Sequence, residues 1–330
     1  MARSQWPPSV EPLSATTTSR PHAVWSVSVP SAPGPVPGRG RVTDKRPQTI
    51  QIYLPHGEPR GIRVADVTTR AIHAVHVPRA RMDVAGEIEE LRGVGVYFLV
   101  GESEGAARPT VYVGEAEDCL VRLKQHNAKK DFWQHAVVIL SQAGKFTKAH
   151  VKYLEWYCLG RAKEAGRFTL DNGNASSEPH VPKPLMAEIL DAFDVLSTLT
   201  STLGFPVVEA QVQKPPATTY TLSPKKSAVE ARGYPVDDGF LVLAGSTAAA
   251  TVRTSAGAWV SRHRDELSAA GILDVGPSGT IFRESYVFKS PSAAASAVLG
   301  GNTNGWVAWK LPDGRTLSDV VRREDGAAEA

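Results

Sequence analysis

The chain has 330 residues, of which 42% are hydrophobic, and a formal net charge of +3. This length and composition suit two globular domains with packed cores, and no run of about 18 apolar residues predicts a membrane-spanning helix. Cys119 and Cys158 belong to no CxxC pair, so neither a disulfide framework nor a zinc site is expected. A reducing compartment, the cytoplasm, fits this cysteine usage.

Residues 1–45 contain eight prolines and few large apolar side chains, so we predict that they are disordered. A globular domain should then cover residues 46–210. It begins with alternating apolar residues on both sides of a polar turn at 56–61, which predicts a β-hairpin. Residues 71–77 should form another strand, and 83–91 a short helix.

Two further strands each carry a tyrosine. Gly95–Gly101 contains Tyr97, and Thr110–Gly114 contains Tyr112, fifteen residues after Tyr97. A polar connection with a glycine separates them, so we predict an antiparallel pair. Because alternate strand residues face opposite sides, the two tyrosines should share one face and the neighbouring valines the other.

Helices should follow these strands. Asp118 is a candidate N-cap for a helix to about residue 127, which places Arg122 and His126, four residues apart, on one face. A buried strand at 137–140 comes next. A long helix from Thr147 to Gly166 then carries Glu155 among apolar and basic residues. A further helix is predicted at 185–203.

These side chains have the chemistry that phosphodiester cleavage requires. A phenol near a cation can position or activate water, a guanidinium can stabilise the growing charge, an imidazole can move a proton, and a carboxylate can hold Mg²⁺. Each residue also has an ordinary structural alternative. The tyrosines could pack a sheet, Arg122 could pair with Asp118, His126 could be a core histidine, and Glu155 could pair with a nearby cation.

The stretch from Cys119 to Lys163 is basic, with nine Lys or Arg residues against two acids. Such an excess beside the two tyrosines predicts a surface that faces phosphates, although it is also typical of a solvated helix face. The candidate nucleic-acid-binding residues are Lys124, Lys129, Lys130, Lys148 and Lys152.

The ordered set resembles the GIY-YIG nuclease family, with Gly95-Val96-Tyr97 and Tyr112-Val113-Gly114 as its two tripeptides. The resemblance covers roughly residues 93–174. It implies a small antiparallel sheet flanked by helices and metal-dependent endonuclease activity. The implied catalytic residues are Tyr97, Tyr112, Arg122 and His126, the implied ligand of Mg²⁺ or Mn²⁺ is Glu155, and the implied supporting residues are Gly95, Gly114, His135 and either Asn172 or Asn174.

A proline- and threonine-rich linker is predicted at 211–228, followed by a second small α+β domain at 229–323 and a tail at 324–330. This domain should contain strands near 239–244 and 281–288, with helices at 254–270 and after Ser290. Residues 304–310 are predicted as a strand with Trp306 and Trp309 on opposite sides.

The second domain resembles DUF4357 and the related RAMA-type modules over roughly residues 262–319. The segments that carry this resemblance are Phe288–Ala295, Gly305-Trp306, Trp309-Lys310 and Gly314–Leu317. It implies a contact with nucleic acid or a modified base, while the alternative is that both tryptophans are structural.

The sequence as a whole therefore predicts an α+β protein that cuts nucleic acid, with DNA favoured over RNA, and whose second domain helps to select the substrate. No membrane partner is expected, and the oligomeric state is left open. A non-catalytic reader of modified or branched DNA is the main alternative, and an interaction scaffold is a third.

Overall fold

A computed structural model describes residues 47–102, 105–173, 177–210, 219–225, 227–276 and 279–321. Apart from residue 47, they belong to one compact unit, Gln48–Ala330. The segment expected to be disordered, 1–45, and the predicted tail, 324–330, lie outside the described residues. Within those ranges no helix has both the length and the hydropathy needed to cross a membrane.

The N-terminal half is built on a seven-stranded sheet with the order β1-β2-β3-β6-β4-β5-β7. The predicted hairpin, β1–β2, joins the two tyrosine strands through β3 and β6, so the sheet is larger than expected. Every neighbouring pair is antiparallel except β5–β7. The strands are β1 (Ile50–Tyr53), β2 (Arg63–Val67), β3 (Ile72–Pro78), β4 (Gly95–Gly101), β5 (Thr110–Ala116), β6 (His135–Ser141) and β7 (Thr169–Leu170).

Helices cover both faces of this sheet. They are α1 (Cys119–Lys129), α2 (Lys148–Ala165) and α3 (Lys183–Thr202). The predicted boundaries of the first two are confirmed: Asp118 accepts a hydrogen bond from the Val121 N–H at 2.9 Å, and Gly166 ends α2 with φ +64°. A glycine suits that position because a side chain disfavours the left-handed region.

The alternation of side chains along β4 explains the layers. Val96 and Phe98 pack in a core with α2 and α3, whereas Tyr97 and Leu99 pack in a second core with α1. Because both faces are buried, the strand reads as a continuous apolar run rather than as alternating polar and apolar residues. The two tyrosines therefore lie on the α1 side of the sheet.

The C-terminal half has its own core and two smaller sheets, with strand orders β14-β10-β9-β8 and β11-β13-β12. The mixed α+β class predicted for both halves is confirmed. The strands are β8 (Tyr220–Leu222), β9 (Ala231–Val236), β10 (Gly239–Val242), β11 (Thr247–Ala248), β12 (Leu273–Gly276), β13 (Gly279–Phe282) and β14 (Tyr286–Phe288), and the helices are α4 (Ala258–Ala269), α5 (Pro291–Leu299) and α6 (Gly305–Ala308).

The segment predicted as a strand at 304–310 is instead mostly helical, because α6 occupies its centre. The Asn304 side chain accepts a hydrogen bond from the Trp306 N–H at 3.1 Å and caps the helix. A Cβ on Gly305 would lie 2.5 Å from the Ser292 backbone nitrogen, so α6 packs tightly on the start of α5. Trp309 becomes fully buried, while Trp306 stays 42% exposed.

The predicted linker is also shorter than expected. Residues 211–218 lie outside the described residues, but Tyr220–Leu222 forms β8 at the edge of the second sheet. Tyr220 and Leu222 are both buried in the C-terminal core. The end of the proline- and threonine-rich segment is therefore part of the second domain. Tyr220 and Leu222 are only two alternating apolar residues, which is too short a pattern to predict a strand from the sequence.

Candidate active site between two strands and a helix

The pairing of β4 with β5 brings the two tyrosines together. Tyr97 lies opposite Gly114, and the Tyr97 and Tyr112 rings are 6.2 Å apart. A Cβ on Gly114 would lie 2.5 Å from Cζ of Tyr97 and 3.0 Å from Cε1 of Tyr112. Glycine at 114 therefore makes room for the Tyr97 side chain to cross β5.

Gly95 has a similar steric role on the side of β4 that pairs with β6. A Cβ there would lie 2.5 Å from the Ile139 carbonyl oxygen and 3.0 Å from Sγ of Cys119. The residue thus allows β6 and the start of α1 to approach β4 closely. Both glycines of the tripeptides support the site by sterics rather than by chemistry.

Helix α1 places Arg122 and His126 against Tyr97. The Tyr97 hydroxyl oxygen lies 2.8 Å from Nε2 of His126, and Nε of Arg122 donates to that oxygen at 3.2 Å. Arginine donates only, so the phenol oxygen accepts from Arg122. The direction of the Tyr97–His126 hydrogen bond depends on the His126 tautomer: a ring protonated on Nδ1 accepts the phenol proton at Nε2.

Burial keeps the phenol and the imidazole neutral. Tyr97 is 0% exposed, and this burial raises the pKa of its phenol, with the Arg122 guanidinium opposing the shift. Burial and, after it, the positive charges of Arg122, Lys130 and Lys129 together lower the pKa of His126 to about 4. At neutral pH the positive charge of this cluster therefore resides on Arg122.

The guanidinium of Arg122 is held in place by several partners. Its Nε donates to the Tyr97 hydroxyl oxygen, and Nη1 donates to Oε1 of Gln125 at 3.0 Å. The hydrogen bond to Tyr97 and, after it, the nearby Tyr112 phenol raise the pKa of the guanidinium. Arg122 and Tyr112 are half-buried, whereas Tyr97 is fully buried. A substrate would therefore meet Arg122 and Tyr112 first, with Tyr97 and His126 behind them.

Glu155 projects from α2, on the other side of the sheet. Its pKa is raised by burial and then by the negative charge of Glu115, while the charges of Lys152 and Arg122 and a hydrogen bond from the Glu115 backbone N–H oppose the rise. Glu155 also raises the pKa of Tyr97. Glu155 is therefore close enough to the Arg122 cluster to interact with it electrostatically.

Glu115 is a candidate that sequence reasoning missed. It follows Gly114 directly and, by strand alternation, faces α2 rather than α1. Its position directly after the second tripeptide, on the strand face that α2 covers, is the signal that could have revealed its proximity to Glu155.

The carboxylates at 115 and 155 suit one kind of metal. Within the described ranges no three His, Cys, Asp or Glu side chains are placed to hold an ion together, which is unlike a closed zinc or calcium cage. Mg²⁺ is often held by one or two carboxylates, with water and substrate phosphate as its other ligands. Glu155, with Glu115 beside it, fits that description, and Mn²⁺ would fit the same oxygen donors.

His135 does not join the site, which corrects the sequence interpretation. On β6 it alternates with Val137 and Ile139, which pack on the α2–α3 side, opposite Tyr97. Its Nδ1 lies 3.1 Å from Nε2 of His76, and its ring is 5.3 Å from that of Phe205. His135 therefore belongs to a separate aromatic cluster.

Asn172 has a structural place beside the site. Its Oδ1 accepts from the Val113 N–H at 2.9 Å, and its Nδ2 donates to the Val113 carbonyl oxygen at 2.7 Å. The amide thus extends the pairing of β5 next to Tyr112. Asn174, the other candidate, lies outside the described residues.

The five candidate lysines divide into two groups. Lys130 pairs with Asp171 at 2.5 Å and lies over the Tyr112 ring at 4.4 Å, and Lys148 pairs with Glu117 at 2.8 Å. The other three are exposed and form no ion pair within the described part of the chain: Lys124, Lys129 and Lys152.

Comparison with known proteins gives one family match. Residues 222–321 match a domain of unknown function, DUF4357. The match is longer than the sequence resemblance suggested, since it runs from the end of β8 to the last described residue. No match to the GIY-YIG family accompanies it, and no curated protein and no solved structure matches the chain.

Proposed function

We propose that the N-terminal half is a metal-dependent endonuclease that cleaves phosphodiester bonds in nucleic acid, with DNA the favoured substrate. The observation that carries the proposal is the placement of the Arg122 guanidinium between two phenols, beside a neutral imidazole and within the electrostatic reach of Glu155. A planar guanidinium that is fixed in advance is well suited to a phosphate whose charge increases during cleavage.

Each side chain has a role that follows from its exposure. Arg122 would bind a non-bridging phosphate oxygen. Tyr112, which is half-buried and close to Arg122, would orient the attacking water. Tyr97 would pass a proton towards His126, whose Nε2 lies 2.8 Å from the phenol oxygen. This assignment makes Tyr97 an internal relay, because its hydroxyl is buried.

Glu155, with Glu115 beside it, would hold Mg²⁺ or Mn²⁺. When bound, that ion would neutralise charge on the scissile phosphate and on the leaving oxygen. The raised pKa of Glu155 supports this role, since a half-buried carboxylate near another acid is more stable with a cation beside it. The likeness of the two tripeptides and of the following arginine and glutamate to GIY-YIG nucleases supports the same reaction.

The DUF4357 domain would help to select the substrate. The two cysteines are buried and free, which fits action in the reducing cytoplasm. The exposed lysines on α1 and α2 would bind phosphates without reading sequence.

One observation favours a second candidate, a non-catalytic reader of modified or branched DNA. Tyr97 is fully buried and its pKa is raised, so its phenolate is disfavoured. A site that only binds phosphate would need Arg122 and the lysines but no ionised phenol.

A substrate panel tests the proposal and separates the two candidates. Supercoiled, branched and single-stranded DNA and single-stranded RNA are incubated with the protein, with Mg²⁺ or with EDTA. The nuclease proposal predicts cleavage of at least one DNA substrate with Mg²⁺ and none with EDTA. Salt-dependent binding of DNA without cleavage under any condition would favour the reader.

A further inference from the structure

A cavity of about 570 Å³ lies where the connection between β4 and β5 meets the C-terminal domain. Residues 106–109 form one wall, and the start of α4 and strand β14 form the other. This volume is in the range of pockets that bind small organic groups. None of the candidate active-site residues lines it.

The walls of this cavity are held by specific contacts. The Tyr286 hydroxyl donates to the Ala107 carbonyl oxygen at 2.8 Å, and Arg108 pairs with Glu284 at 3.1 Å. His263 packs against the rings of Tyr286 and Phe288, with centroid distances of 5.8 and 5.6 Å. The cavity is therefore formed by ordered, mutually bonded groups from both halves.

An exposed indole lines the cavity. Trp259, at the start of α4, is 44% exposed, in contrast to Trp133 and Trp309, which are fully buried. A Cβ on Gly257 would lie 2.9 Å from Cδ1 of Trp259, so the glycine accommodates the ring where it stands. An indole of this exposure at a cavity wall can stack on a planar ligand.

Two cations beside this indole have no acidic partner within the described ranges. Arg108 and Arg167 also line the cavity, but they pair with Glu284 and Asp238. Arg262 and Lys289 are exposed and form no such pair in the described chain. The lining also contains two acids, Glu102 and Glu266, and Oε2 of Glu266 lies 3.2 Å from Nδ1 of His263. The flat indole surface next to two cations without an acidic partner among the described residues is complementary to an aromatic anion.

We propose that this cavity binds one nucleotide unit, with its unpaired base stacked on Trp259 and its phosphate between Arg262 and Lys289. The proposal rests on the proposed function, because it takes nucleic acid as the natural partner. Arg108 precedes Tyr112 by four residues on the way into β5, a distance of roughly 13 Å along an extended chain. A strand that fills the cavity could thus reach the candidate active site.

The test is a binding measurement that needs no cleavage. Binding is followed in EDTA by fluorescence anisotropy of a labelled single-stranded oligonucleotide. Competition with unlabelled mononucleotides then shows whether a free nucleotide suffices. The variants are Trp259→Ala, Trp259→Phe and the double change Arg262→Gln with Lys289→Gln. The control is Tyr53→Ala, which removes an exposed aromatic ring that does not line the cavity.

The proposal predicts that Trp259→Ala raises Kd about tenfold, the size expected for the loss of one base–aromatic stack. Trp259→Phe should recover part of the affinity, the double cation variant should weaken binding, and Tyr53→Ala should leave it unchanged. The proposal would be overturned if wild type and Trp259→Ala bound the oligonucleotide with equal affinity. It would also be overturned if heparin bound as strongly as the oligonucleotide and independently of Trp259. Trp259-dependent binding by a protein that never cleaves would refute the nuclease proposal alone.

Discussion

The hydroxyl of Tyr97 lies 2.8 Å from Nε2 of His126, in the buried space between strand β4 and helix α1. Arg122 donates to the same oxygen, so the phenol is hydrogen-bonded to two side chains of α1 at once. This pair links the half-exposed Arg122 and Tyr112 to a histidine inside the protein. The geometry depends on the absence of a side chain at residue 114.

Replacement of Gly114 by alanine should disturb this pair and destabilise the fold. The added Cβ would lie 2.5 Å from Cζ of Tyr97, inside a packed core, and overpacking of this kind costs about 1–3 kcal/mol. Urea denaturation measures the change. Gly160→Ala is the control, because a Cβ on Gly160 in α2 would point into open space. This change should raise the free energy of unfolding by up to about 1 kcal/mol. Equal effects of the two changes would contradict the steric argument.

Replacement of Asn172 by aspartate should loosen β5. The carboxylate keeps the acceptor for the Val113 N–H but loses the donor to the Val113 carbonyl oxygen, so we expect a loss of about 1–3 kcal/mol in the free energy of unfolding. Asn127→Asp is the matched control, since Oδ1 of Asn127 accepts from Nε of Arg79 and an aspartate keeps that role. Thermal unfolding measures both changes. If Asn127→Asp destabilises the protein more than Asn172→Asp does, this interpretation of Asn172 is wrong.

The stability of the protein should depend on His126 in mildly acidic solution. Its pKa is about 4 in the folded chain against about 6.5 when unfolded, so between these values the unfolded chain binds a proton that the folded chain does not. The free energy of unfolding should therefore fall as the pH is lowered through this window. The fall should be shallower in His126→Gln, as measured by denaturant titration at several pH values. Identical slopes would show that His126 does not titrate as its burial implies.

The lysines should differ in how much they contribute to DNA binding. Lys124, Lys129 and Lys152 are exposed without an ion pair in the described chain, so replacing each with glutamine should weaken binding of all sequences. Each such change should reduce the salt slope by roughly 1 unit. Lys148→Gln should have a smaller effect because Lys148 already pairs with Glu117. Binding titrations at several salt concentrations measure the slope. An unchanged slope in all variants would show that these lysines lie on an ordinary solvated face that does not bind DNA.

Much of the fold near the site was predictable because it depends on local signals. Alternation along β4 and β5 placed Tyr97 and Tyr112 on one face, and the spacing of Arg122 and His126 placed both on one side of α1. Caps such as Asp118 act within a few residues, so the ends of that helix were also predicted.

The errors came from features that depend on packing between distant segments. Which face His135 occupies depends on the register of β6 against β4, and that register is not visible in β6 alone. The helix at Gly305 depends on its close contact with the start of α5, and the burial of Tyr220 depends on pairing between β8 and β9. Glu115 was missed because its neighbour, Glu155, is forty residues away in sequence.

The most direct test of the nuclease proposal compares Glu155→Gln with Glu164→Gln on the same helix. Glu164 is exposed and pairs with Arg161, so its change should leave both cleavage and binding near wild type. Initial rates of cleavage are measured with Mg²⁺ on a DNA substrate that the wild type cuts, and binding of the same DNA is measured in EDTA. We expect Glu155→Gln to lose roughly 1,000-fold in rate, equivalent to several kcal/mol of transition-state stabilisation, while its affinity for DNA stays within about twofold of wild type. Full activity in Glu155→Gln would contradict the proposed metal site.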